Sequence, residues 1–128
     1  HVRMVKQSDD THYHKVIVEQ QSDKVIGAIE MTIDKDNDSG EIGYILHPDY
    51  WGRGIATQAV EQILDYGFNQ LKLNRISAMT DKRNIGSEKV MKKTGMTKEG
   101  LLRKNIKLKD GYRDTLVYSI LFSEYKLE

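Results

Sequence analysis

The chain of 128 residues has no cysteine, a single proline, a single tryptophan and only two phenylalanines. Without cysteine there is no disulfide framework, no thiol nucleophile and no thiolate metal site, and a reducing compartment, the cytoplasm, is the expected home. Charge of one sign is also lacking: 20 lysines and arginines face 19 aspartates and glutamates, a formal net charge of +1. Such a balance gives no general pull toward nucleic acid or an anionic membrane, so any basic site must be local. No apolar run approaches membrane-spanning length, and the first residues are polar rather than signal-like, so a soluble protein with no membrane partner is expected. The four histidines are His1, His12, His14 and His47. Three of them lie in the ragged opening stretch, where solvated loop residues are the simpler reading than ligands, and no metal is implied.

What is present fits one domain over residues 1–128, long enough to bury roughly two thirds of its unfolded surface in one core. Residues 1–14 show no sustained period and read as the tail of a helix followed by a loop around Ser8-Asp9-Asp10-Thr11. Residues 15–19 are short and β-branched. After a polar turn, residues 25–33 place Val25, Gly27, Ile29, Met31 and Ile33 on one face, so the two segments predict an antiparallel hairpin. Residues 34–40 alternate three aspartates in the manner of a calcium loop. They hold Ser39 where the sharp-turn glycine belongs and Ile45 where the bidentate glutamate belongs, so a solvated hairpin loop is expected instead.

Residues 41–46 form a third strand, with Glu41, Gly43 and Ile45 on one face and Ile42, Tyr44 and Leu46 on the other. His47-Pro48 ends it, because proline cannot extend a ladder. From 55 to 71 the period changes to that of a helix, with Ile55, Ala59 and Ile63 in one stripe and Ala56, Val60, Leu64, Phe68 and Leu71 in its neighbour. Residues 75–80 read as a strand again, so strand, helix, strand gives a crossover and a locally parallel pair within a mixed sheet. Asn84 opens a short helix that carries Val90 and Met91 inward and closes at Gly95. Residues 96–108 and 113–122 are two strands joined around Asp110-Gly111. The last of them is placed where it would pair across an edge or pack in a dimer, so monomer and homodimer both stay open.

The stretch Tyr50-Trp51-Gly52-Arg53-Gly54-Ile55-Ala56-Thr57 lies at the strand-to-helix junction. Two glycines there let backbone approach a ligand, while the first free N–H groups of the helix point outward with the positive end of its dipole. A kinase-type phosphate loop would need a glycine-lysine pair that is absent, and a dinucleotide fingerprint would need a third glycine where Thr57 stands. Read by itself, the stretch is either an anion cradle or a plain glycine turn.

Taken with the segments on both sides, the chain resembles the GNAT superfamily of N-acetyltransferases, in particular its ribosomal-protein-alanine acetyltransferase-like branch. The family pattern Gln/Arg-x-x-Gly-x-Gly/Ala is matched at Gly54 and Ala56 and departed from at Trp51, although Tyr-Trp-Gly-x-Gly is itself typical of that branch. Further matches follow in order: Glu41-Ile42-Gly43-Tyr44, Asn84 with Ser87, Lys93 to Met96, Glu99-Gly100, and Asp110-Gly111 with Arg113-Asp114 leading to Tyr118. The resemblance covers residues 25–122 and implies an α/β GNAT-like fold: a mixed, mostly antiparallel sheet with one parallel splayed pair, its third and fourth visible strands, flanked by helices. The family's first strand and most of its first helices have no counterpart, so the chain reads as N-terminally incomplete.

The resemblance implies acetyl-CoA as cosubstrate and a primary amine, on a protein N-terminus or a small molecule, as acceptor, joined by direct attack in a ternary complex. Gly52, Arg53, Gly54, Ile55 and Ala56 would hold the pyrophosphate. Backbone groups of Ile45, Leu46 and His47 would pair with the pantetheine as an added strand. Asn84 and Ser87 would meet the same arm from the other side, and Lys93 would reach the 3′-phosphate. Glu41 is the candidate base and Ser87 the candidate acid, because Met91 stands where many relatives place a proton-donating tyrosine; Tyr118 is explained more simply by packing. The alternative reading is a non-catalytic acyl-CoA-binding or partner-docking module, and a nucleotide-phosphate-binding protein is a more distant one.

Overall fold

The computed structural model describes residues 2–6 and 11–126. Among these described residues, seven strands form one sheet in the spatial order β1-β2-β3-β4-β5-β7-β6. These are β1 (Val2–Lys6), β2 (His12–Glu19), β3 (Val25–Asp34), β4 (Ser39–Leu46), β5 (Arg75–Asp81), β6 (Thr97–Leu108) and β7 (Gly111–Leu121). Three α-helices accompany them among the described residues: α1 (Ile55–Asp65), α2 (Ile85–Lys93) and the single turn α3 (Phe122–Tyr125). Every neighbouring pair is antiparallel except β4 and β5, which run parallel through the α1 crossover. The mixed α/β sheet with one parallel pair is therefore the observed architecture. The parallel strands are fourth and fifth in chain order because one more strand precedes them.

That extra strand corrects the expected helix tail. Val2–Lys6 pairs antiparallel with β2, Met4 opposite Ile17, so edge pairing rather than any local period sets its conformation. The Ser8-Asp9-Asp10 part of the expected loop lies outside the described residues. Two further corrections concern ends and edges. The helical period over 55–71 is divided: α1 stops at Asp65 and a π-turn, Tyr66–Gln70, completes it, with Leu71 N–H bonded to Tyr66 O at 3.1 Å. The last strand is not an edge, for β7 lies between β5 and β6 and leaves β6 outermost.

The register puts Ile29 and Met31, Ile42, Ile76 and Ala78, and Leu116, Tyr118 and Ile120 on a single face, all of them buried. Ala59, Val60, Ile63 and Leu64 of α1, Phe68 and Met91 of α2 cover that face, and the whole set forms one core. The opposite face carries Glu30, Glu41, Ile45 and Met79, all exposed. In β3 the expected face is broken at one end. Ile17 pairs with Gly27 but Val18 with Val25, so Ile26 is an inserted bulge residue. A bulge re-aims the side chains beyond it, and here Ile26 is buried at 3% exposure while Val25 stands out at 59%.

The 34–40 segment closes the β3–β4 hairpin through a 3₁₀ turn at Lys35–Asn37. Asp34 accepts from Asn37 N–H and Nδ2, and Asp38 takes the left-handed conformation at φ 49°. Asp38 O then accepts from Asn74 N–H at 2.7 Å, which ties the hairpin to the start of β5.

Candidate active site

The parallel ladder of β4 and β5 ends at Ile42 opposite Ala78, whereas β4 runs on beside β3 as far as Leu46 opposite Gly27. Among the described residues, the β5 side of residues 43–46 thus has no strand partner. His47 N–H donates to Ile26 O at 2.7 Å on the β3 side. Alternation then turns the amide and carbonyl of Leu46, and those of Tyr44, toward the open side. Proline ends the strand: Pro48 begins a 3₁₀ turn, Pro48–Tyr50, that His47 caps by accepting Asp49 N–H on Nδ1 at 3.2 Å.

From this turn the chain enters α1 through two glycines with φ of +75° and +79° at Gly52 and Gly54. This left-handed region costs other residues roughly 1–2 kcal/mol, and it swings the backbone sharply enough to present the helix terminus to the strand edge. Gly54 serves as N-cap without any side-chain hydrogen bond, and the first intrahelical bond runs from Gln58 N–H to Gly54 O at 3.0 Å. The N–H groups of Ile55, Ala56 and Thr57 are therefore left outside the helical ladder, a positive, donor-rich end that favours an anion. A Cβ built on either glycine meets nothing within 4 Å, so the space in front of this end is open.

Strand edge, glycine turn and α2 together enclose a cavity of about 490 Å³. It is lined by Tyr44, Ile45 and Leu46 of β4, by Tyr50, Trp51, Gly52 and Gly54, by Ile55, Ala56 and Thr57, and by Asn84, Gly86, Ser87, Lys89, Val90 and Lys93. Nine of the residues singled out from the sequence are thus brought to one place: Ile45, Leu46, Gly52, Gly54, Ile55, Ala56, Asn84, Ser87 and Lys93. Three are not among its lining residues. His47 has its N–H committed to β3 and its ring to the 3₁₀ turn. Arg53 lies over the ring of Tyr50, 5.0 Å from its centroid. Glu41 stands on the opposite face of the sheet from Tyr44, in the row Glu41, Gly43, Ile45, where the β4–β5 ladder is still closed.

The walls are held by directed contacts. Trp51 Nε1 donates to Leu46 O at 2.8 Å. Tyr50 hydroxyl donates to Glu19 Oε2 at 2.9 Å, which pins the turn to the end of β2 and, with the Glu19 charge, pushes the Tyr50 phenol up. Asn84 caps α2 by accepting Ser87 N–H on Oδ1 at 3.0 Å, and Ser87 is itself met by the Tyr44 hydroxyl at 3.1 Å. Beneath α2, Tyr118 donates to Glu88; burial first, and then this contact, push its phenol up to about 12. Tyr118 is 1% exposed and does not reach the cavity, in keeping with packing as its role.

Tyr44, Trp51 and Lys89 were not assigned roles from the sequence. Tyr44 closes the Glu41-Ile42-Gly43-Tyr44 match and Trp51 stands before Gly52 in the glycine stretch, and Lys89 precedes Lys93 by one helical turn, the spacing that puts two cations on one side of α2.

A sheet opened at its one parallel pair, beside a glycine-entered helix terminus, is the architecture of the GNAT acetyltransferases. Residues 2–97 match the family model described as an acetyltransferase (GNAT) domain, and the chain belongs to that family. An uncharacterized N-acetyltransferase of Bacillus licheniformis is 41% identical over 110 residues, 85% of this chain and 62% of that protein. The spermidine N(1)-acetyltransferase of Escherichia coli is 30% identical over 125 residues, 93% of this chain and 67% of that one. Among solved structures, ribosomal-protein-S5-alanine acetyltransferase from Vibrio fischeri superimposes with a TM-score of 0.85 at 29% identity, covering 91% of this chain and 64% of that chain. The chain spans 62% and 63% of the length of two curated Bacillus N-acetyltransferases that it matches.

Proposed function

We propose that this domain binds acetyl-CoA in the 490 Å³ cavity and transfers its acetyl group to a primary amine by direct attack within a ternary complex. One observation carries the reading: the unpaired β4 edge and the uncapped N-terminus of α1 face the same cavity. An extended amide chain ending in a pyrophosphate needs those two features side by side. The residues present fit such a molecule. The free amides of Ile55, Ala56 and Thr57 suit the pyrophosphate, with Gly52 and Gly54 keeping the approach clear. The Leu46 N–H and the Tyr44 backbone suit the pantetheine amides, as in strand addition. Asn84 and Ser87 bound that arm from α2, and Lys93 and Lys89 are the cations for the 3′-phosphate. Arg53, stacked on Tyr50, adds only a screened charge.

When bound, acetyl-CoA supplies an activated acyl carbon. The chain's contribution is to hold it straight, to place a β4 N–H near Leu46 at the acyl oxygen, and to offer Ser87 on the sulfur side. Glu41 is proposed as base for an amine arriving over the exposed face. Gly43 leaves that approach unobstructed, since a Cβ there would meet only Glu30 Oε1 at 3.9 Å. The acceptor is placed no more finely than a primary amine, and the compartment is proposed to be the cytoplasm on the cysteine-free composition.

Calorimetry with acetyl-CoA tests the reading, followed by free-thiol release across a panel of peptide N-termini, polyamines and amino sugars. Binding at tens of micromolar or tighter with turnover on one acceptor class is expected. Absence of binding sinks it, and binding without turnover on any acceptor transfers the support to an acyl-CoA-binding module.

A further inference from the structure

The hydroxyls of Tyr44 and Ser87 meet at 3.1 Å, one from β4 and the other from the first turn of α2, so the contact joins the two walls of the cavity. A serine within a helix commonly turns its hydroxyl back onto a carbonyl of the preceding turn. Ser87 instead has its N–H held by Asn84 Oδ1 at 3.0 Å and its Oγ engaged by the phenol. Burial raises the Tyr44 phenol above the ordinary tyrosine value, more than the Ser87 contact lowers it, so Tyr44 remains a protonated donor. With one lone pair of Oγ occupied by that donor, the Ser87 hydrogen is the atom left to point elsewhere. Both side chains line the cavity, and Ser87 is only 8% exposed, so few directions other than the cavity are open to it.

We propose that Tyr44 is a positioning residue that turns the Ser87 hydroxyl onto the sulfur of a bound thioester, so that leaving-group assistance comes from a two-hydroxyl pair spanning β4 and α2. The inference rests on the acetyl-CoA reading above. As the new carbon–nitrogen bond forms, the carbon–sulfur bond breaks and its electron pair stays on sulfur, where the Ser87 O–H hydrogen-bonds to it. The extra proton on nitrogen goes to Glu41, the proposed base, and the thiolate takes a proton from water on release. Neither hydroxyl changes its protonation state, which suits a phenol whose ionisation is disfavoured. Asn84, the cap of α2, fixes the Ser87 backbone, and Tyr44 engages its side chain.

The test uses the intact chain with coenzyme A itself and reads the ultraviolet absorbance of the bound thiolate against pH, so no acceptor and no turnover are required. A hydrogen bond to sulfur favours the thiolate and lowers the apparent thiol pKa. Lys89 and Lys93, the charged side chains lining the cavity, act in the same sense but are common to all variants. Ser87→Ala and Tyr44→Phe are each expected to raise the bound thiol's midpoint by about one pH unit, the size of one hydrogen bond to a charged group. The double variant should be no higher than Ser87→Ala, and Ser87→Thr, which keeps a hydroxyl, should stay near the parent value. A parent-like midpoint in Tyr44→Phe, or a double variant equal to the sum of two independent shifts, overturns the positioning role while leaving the acetyl-CoA reading intact. Failure of the parent chain to bind coenzyme A by calorimetry overturns both.

Discussion

The indole N–H of Trp51 donates to the carbonyl of Leu46 across 2.8 Å, closing the end of β4 against the turn that leads into α1. Beyond Ile42 that edge has lost β5, so its carbonyl would otherwise face the cavity without a protein partner. The indole satisfies the acceptor and leaves the neighbouring Leu46 N–H as the group offered to a ligand. Trp51 is the position at which the glycine stretch departs from the wider family pattern, and this contact is the physical reason tryptophan suits it.

Trp51→Phe keeps the ring and removes the donor. A neutral hydrogen bond contributes about 1 kcal/mol net, so coenzyme A affinity should fall by about fivefold. Thermal unfolding should shift little, because Trp51 is 65% exposed and adds little to the core. Calorimetry paired with a melting curve checks both halves. An unchanged dissociation constant would remove the carbonyl cap from the account of binding.

Gly54→Ala forces a side chain into a backbone at φ +79°. No atom lies within 4 Å of the added Cβ, so the stability cost is that of the backbone alone, roughly 1–2 kcal/mol. The same Cβ enters the space in front of the α1 amides, and coenzyme A binding should weaken by about tenfold or more. Affinity lost no further than the melting temperature accounts for would mean that the cradle is not there.

Gly27→Ala probes the far side of the same strand. Its Cβ would lie 2.5 Å from the Ile45 carbonyl oxygen and 3.2 Å from Leu46 Cα, both backbone atoms that side-chain rotation cannot relieve. Overpacking of this kind costs about 1–3 kcal/mol. The relief available is displacement of the end of β4 toward the cavity, so weakened coenzyme A binding should accompany the lower melting temperature. Retention of parent affinity would show the strand end to be insensitive to this neighbour.

Glu88→Gln reads a structural carboxylate. The Tyr118 hydroxyl first, and then Lys98, hold Glu88 below the usual glutamate range. The folded state therefore binds fewer protons than the unfolded one in mild acid. Its contribution is fully present above the unfolded glutamate value of about 4.3 and is lost as pH falls through the depressed folded value. Melting temperature plotted from pH 6 down to pH 3 should fall less steeply in Glu88→Gln than in the parent. Parallel curves would contradict the assignment.

Glu41→Gln separates the proposed base from the cavity's binding role. Turnover should drop by about 10²-fold, within the range for a positioned acid or base, with acetyl-CoA affinity unchanged. Equal turnover would retire Glu41 and leave water to accept the proton.

Several of these features were legible in one dimension. The alternation through Ile42, Tyr44 and Leu46, the break at His47-Pro48, the helical stripe from Ile55 onward and the Asn84 cap each depend on neighbours within a few residues, and the structure realises them with small changes of boundary. Order along the chain was enough to predict the parallel pair as well, since strand, helix, strand permits little else. Other features depended on partners far away in sequence. Val2–Lys6 is a strand because β2 offers it an edge, and Val25 turns outward because β3 gains a bulge against β2.

From β2 onward the sequence by itself therefore determined most of the elements, their order and the glycine entry to α1, because periodicity, capping and backbone freedom are local properties. Only the tertiary structure decided that the β4–β5 ladder stops at Ile42, that Trp51 occupies the Leu46 carbonyl and that Tyr44 meets Ser87 across 43 positions of sequence. Each of these depends on how far two strands diverge under the helices packed on them, a distance that no local pattern encodes.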